Sequence, residues 1–70
     1  MDIRRTLGAN LKRLRAAKGW SQEEYAFEAG IHRTYVSDIE RGARNPTILI
    51  LEKLARPFGI DAHELIREER

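Results

Sequence analysis

The sequence predicts an all-α fold, a compact domain of five short helices around one core. Apolar residues recur at spacings of three and four, and no segment alternates apolar with polar residues as a half-buried strand would. Glycine or proline at positions 19, 30, 42, 46 and 57 cuts the pattern into short pieces. With 41% hydrophobic content in 70 residues, a single domain over 1–70 is expected. A chain of this size buries only about 60% of the surface that its unfolded form exposes, which leaves no room for a second core.

Ile3, Leu7, Leu11 and Leu14 form the apolar stripe of a first amphipathic helix, ended by Gly19. Ser21 and Glu24 have the spacing of a capping box, and Trp20 with Tyr25 that of a hydrophobic staple, so a second helix should start at Gln22. Gly30 stops it, being able to take the positive φ of a sharp turn. A third helix restarts near Arg33 and closes at Gly42. At about 100° per residue, Arg33, Thr34, Ser37, Asp38 and Arg41 fall within an arc of roughly 140°, while Val36, Ile39 and Glu40 point away.

Pro46 and Thr47 open a fourth helix presenting Ile48, Leu51, Leu54, Ala55 and Phe58, with Pro57 ending or kinking it at Arg56. Asp61 with Glu64 reads as a second capping box, flanked by Ile60 and Leu65 as a second staple, so a short fifth helix follows.

The composition excludes several functions. Cysteine is absent, which removes disulfides and thiolate metal cages, and His32 and His63 have no companion at ligand spacing, so neither a metal nor a cofactor is expected. The longest apolar run is "ILIL" at 48–51. No membrane association and a cytoplasmic location are the expectation. No nucleophile, base and acid come together, and there is no glycine-rich phosphate loop, so an enzyme is not expected. The net charge of +2 is mild, but residues 1–20 hold six basic side chains against Asp2 alone, whereas 60–70 hold four acidic against Arg67 and Arg70. One end is suited to phosphates and the other is not.

Gln22 to Arg41 meets the steric demands of a helix-turn-helix: small Ala26 at the crossing, Gly30 at the turn, and Tyr25, Ala29, Ile31, Val36 and Ile39 inward. With "LGANLKRLRAAKGWSQEEYA" before the turn and "DIERGARNPTILILEKLA" after it, the chain from Leu7 to Ile66 resembles the Cro and phage-repressor type of helix-turn-helix, the Xre family, with its lambda-repressor-like fold. "RTYVSDIERGARN" most resembles the controller proteins of restriction-modification systems.

The resemblance implies a transcriptional regulator that binds double-stranded DNA as a homodimer on a palindromic operator. It places Arg33, Thr34 and Ser37 at base edges, and Tyr35 near the backbone or a deformed step. Gln22 would bind a phosphate and brace the recognition helix. Arg41, the Gly42 amide, Arg44 and Asn45 would grip the neighbouring backbone, with a base contact as a second role for Arg44. It also sets Arg15 opposite Glu40 as a structural ion pair.

Alone, Arg33 would read as a solvated surface charge; two residues beyond the turn, its planar guanidinium suits guanine O6 and N7. Thr34 and Ser37 divide evenly between helix-surface filler and donors. Asp38 either accepts from cytosine N4 or pairs with a nearby arginine, the latter preferred because phosphates repel a carboxylate. His32 departs from the Ser, Thr or Asp usual at the cap of the recognition helix. Leu49, Ile50, Leu65 and Ile66 are candidates for a dimer interface. Phe27, Leu49 and Ile50 add apolar surface, so a protein-interaction module, antitoxin-like or adaptor, is the alternative function.

Overall fold

A computed structural model describes residues 2–68. Helix α1 spans Ile3–Ala17, α2 Gln22–Ala29, α3 Arg33–Glu40, α4 Ile48–Ala55 and α5 Ala62–Leu65, with a single 3-10 turn at Arg56–Phe58 between the last two. Among the described residues none forms a strand, and no helix is long and apolar enough to cross a membrane.

Local chemistry explains most of the boundaries. Asp2 caps α1 by accepting from the Arg4 amide at 3.0 Å. At α2 the capping box is reciprocal: the Ser21 hydroxyl accepts from the Glu24 amide at 3.0 Å, and the Ser21 amide donates to Glu24 Oε1 at 2.7 Å. Thr47 caps α4 through the Ile50 amide at 3.2 Å. The link from α2 to α3 turns on Gly30 at φ +72°, a left-handed conformation that costs other residues a steric penalty.

Leu7, Leu11, Tyr25, Val36, Ile39, Leu54 and Leu65 form the centre of the core, all nearly or fully excluded from solvent. The Tyr25 hydroxyl, buried there, donates to the Leu54 carbonyl at 2.6 Å, and burial raises this phenol above its ordinary range. Its ring stacks on Phe58 with centroids 5.0 Å apart, and Trp20 lies against both.

Four details depart from the expected arrangement. Phe58 lies in the 3-10 turn rather than on the α4 stripe, because Pro57 offers no amide to continue the helix. Asp61 makes no side-chain cap; α5 is one turn long, and Glu64 accepts instead from Arg67 at 3.3 Å. Ile48, expected inward, is 80% exposed. It lines a groove of about 310 Å³ together with Leu49, Ala55, Ile60 and Ala62 and the charged Glu52, Arg56 and Asp61.

The fourth departure corrects the dimer-face assignment. Leu65 is 0% exposed, and its carbonyl is held by the buried Asn10 amide at 2.9 Å, which also bonds the Arg67 carbonyl at 2.7 Å. This side chain is a core residue and has no surface to offer a partner. Ile50 and Ile66 are partly buried against the same core, so Ile48 and Leu49 carry most of the exposed apolar surface of α4.

Candidate nucleic-acid interface

The two-sided composition of α3 fixes how it is displayed. Val36 and Ile39 are buried at 0% and 1% exposure, while Arg33 and Thr34 on the other side are exposed and Ser37 is half-buried. His32 stands at the N-cap with no side-chain cap bond, its carbonyl accepting from the Tyr35 and Val36 amides at 3.0 and 3.2 Å.

A polar clamp orients α3 from behind. Arg15 meets Glu40 through two parallel bonds, Nε to Oε2 at 2.7 Å and Nη2 to Oε1 at 3.1 Å, and its Nη1 donates to the Trp20 carbonyl at 2.8 Å. Gln22 Nε2 adds a bond to Glu40 Oε1 at 3.0 Å. The paired carboxylate raises Arg15 above its ordinary value, and both side chains are largely withdrawn from water, at 15% and 5% exposure. The first turn of α2 and the last turn of α1 are thereby tied to the end of α3.

Gly8 sets the distance of approach. A Cβ there would lie 2.6 Å from the Ile39 carbonyl oxygen and 2.7 Å from that of Glu40, so α1 and α3 pack backbone to backbone. Neither this contact nor the Asn10 bonds figure among the sequence expectations. A glycine inside an otherwise uninterrupted helical pattern was the available signal for the first; a lone Asn gives none for the second.

The loop after α3 carries the remaining charged groups. Asp38 accepts from both Arg41 Nη2 and Arg44 Nε, the latter at 3.1 Å. Of the two readings of Asp38, arginine pairing is therefore present in the free chain. The Arg44 and Arg41 bonds hold its carboxyl below the ordinary value. The Arg44 guanidinium also lies 4.7 Å from the centroid of the half-buried Tyr35 ring, within cation–π range. Asn45 is exposed on the same loop.

The Gly42 amide differs from its expected role. It donates to the Ile39 carbonyl at 3.0 Å, closing the last turn of α3, so in the free chain it is not held open for a phosphate. What Gly42 supplies is its φ of +75°, which redirects the chain beside Arg5.

Residues 11–65 match the family described as Helix-turn-helix, HTH_3. The chain belongs to this family. It is 44% identical over 66 residues to an uncharacterized HTH-type transcriptional regulator, y4dJ, of Sinorhizobium fredii, covering 94% of this chain and 86% of that protein. Among solved helix-turn-helix structures, it superposes on the restriction-modification controller protein C.AhdI from Aeromonas hydrophila with a TM-score of 0.83 and 44% identity, over 89% of this chain and 94% of that one. The regulator SinR, solved in complex with DNA, gives 0.81 and 37% identity over 87% and 98%.

Proposed function

We propose that this helix-turn-helix chain is a sequence-specific, double-stranded DNA-binding transcriptional regulator of the Xre type. It acts as a homodimer on a palindromic operator whose half-sites lie about one helical turn apart. The observation that carries this reading is the display of α3: Val36 and Ile39 anchor it, the Arg15–Glu40–Gln22 clamp fixes its angle, and Arg33, Thr34 and Ser37 face outward. The likeness to a regulator solved with DNA supports it, and the likeness to a controller protein makes regulation of a restriction-modification system the first context to test.

In this reading Arg33 reads a guanine edge, with Thr34 and Ser37 as neighbouring donors. Gln22, Tyr35, Arg41, Arg44 and Asn45 fix the register on the backbone. The 70 residues work as one cytoplasmic domain whose activity is binding, without a catalytic step. The alternative, a module that mainly binds protein, draws on Phe27, which is 83% exposed on α2.

Titration against a duplex selected from a random pool, and against a scrambled duplex, at several salt concentrations tests the assignment. Arg33→Ala should cost about 1–3 kcal/mol on the selected duplex and relax discrimination at one guanine. Arg44→Ala should weaken every sequence and lower the salt slope by about 1 per half-site. A uniform loss for Arg33→Ala with specificity unchanged removes it as the base reader. Salt-independent behaviour together with capture of a stable protein partner favours the alternative.

A further inference from the structure

Asp38 is the one acidic residue on the displayed arc of α3, and its position needs a reason. A carboxylate facing phosphates is repelled, yet this one sits among the groups assigned to the DNA face. It binds both arginines assigned to the DNA backbone at once, Arg41 at the C-cap of its own helix and Arg44 across the turn. Arg44 is gripped on a second side by the Tyr35 ring. Because Arg44 engages Asp38 through Nε, its two terminal nitrogens stay available for another acceptor.

We propose that Asp38 is a specificity-setting positioning residue: its carboxylate offsets the attraction of Arg41 and Arg44 for every duplex and holds the Arg44 fork in the one direction that the preferred operator meets. This inference rests on the DNA-binding reading above. Asp38 acts in two opposed ways. Its charge offsets one of the two loop cations, which lowers affinity for every duplex alike. Its bond, together with the Tyr35 ring, holds the Arg44 fork in one direction, which favours a duplex whose acceptors lie there. The first effect falls on all sequences and the second on one, so the specificity ratio rises although total attraction to DNA falls.

Asp38→Asn keeps the shape and removes the charge, and Asp38→Glu keeps the charge and changes the reach. In the free protein, Arg44 Nε–H should be distinct and slow to exchange by NMR, and should lose this protection in Asp38→Asn. On DNA, Asp38→Asn should bind the scrambled duplex about 3- to 10-fold more tightly, with the salt slope steeper by about 1 per half-site. Its ratio of selected to scrambled affinity should fall about tenfold. Asp38→Glu should keep the parent salt slope while its ratio of selected to scrambled affinity falls, and should Asp38→Asn fail to fold by thermal unfolding, an unchanged ratio in Asp38→Glu overturns the inference. An unprotected Arg44 Nε–H in the parent protein overturns the inference without reference to DNA. A parent protein that binds DNA specifically, with Asp38→Asn unchanged in ratio and slope, overturns it alone. A parent protein that binds no duplex overturns the DNA-binding reading and this inference with it.

Discussion

At the scale of single residues, the angle of α3 depends on groups that never face its displayed side. In an exposed helix interior, replacing Gly8 by alanine would stabilise by up to about 1 kcal/mol. Here the added methyl meets two backbone carbonyls at 2.6 and 2.7 Å, which cannot rotate aside as a flexible side chain would. The steric term wins, so Gly8→Ala should lose about 1–3 kcal/mol in thermal unfolding and shift amide resonances at the end of α3. The Arg15–Glu40 pair behaves differently, because its cost appears only when it is broken. Each single substitution to alanine leaves a withdrawn charge without its partner, at a cost of order 3 kcal/mol. The double mutant should be clearly more stable than additivity requires, and a cycle with coupling near zero would show that the pair contributes nothing beyond its parts.

At the scale of elements, caps decide where helices begin, and they respond to pH. Bonds from the Arg4 side chain and then its amide lower the Asp2 carboxyl from an ordinary 3.8 to about 2. A group with a depressed folded pKa contributes its stability above the unfolded value and loses it as pH falls through the folded one. The first turn of α1 should therefore keep its amide protection at pH 4 and fray as pH approaches 2; unchanged protection at pH 2 would remove the cap from this role. The same local grammar made α2 legible in the sequence, since Ser21 and Glu24 find each other within one turn. The buried side of α3 was legible because Val36 and Ile39 share one face of a regular helix. Other features rest on partners supplied by the tertiary fold. Gly8 answers to carbonyls of α3, Leu65 is enclosed when α5 folds back on α1, and Asp38 meets Arg44 only after the chain turns at Gly42. A glycine within a helical pattern and a carboxylate near arginines hint at two of these contacts, but spacing names the partner in none of them. The Asp61–Glu64 spacing shows the converse, a pattern present in the sequence but diverted when Glu64 turned to Arg67.

At the scale of the whole molecule, one recognition helix contacts too few base pairs to specify a site, so specificity demands a second copy. In the proposed homodimer, the outward face of α4 is the interface. Ile48 and Leu49 are 80% and 75% exposed beside a groove that Glu52, Arg56 and Asp61 also line, whereas Leu65 is unavailable in the core. In a two-fold dimer each copy contributes the same patch. At about 1.5–3 kcal/mol per side chain fully buried, these two residues from both copies supply about 6–12 kcal/mol before costs. Association consumes about 4–15 kcal/mol of such a gain, so the balance is fine and a single polar substitution should tip it. Leu49→Glu should sediment as a monomer at concentrations where the parent protein is dimeric. At concentrations low enough for both proteins to be monomeric it should retain the parent unfolding midpoint, since Leu49 is outside the core, and on DNA it should lose the preference for a duplex with two half-sites over one with a single half-site. A Leu49→Glu protein that stays dimeric and folded would exclude this patch as the interface and leave Phe27, 83% exposed on α2, as the next candidate.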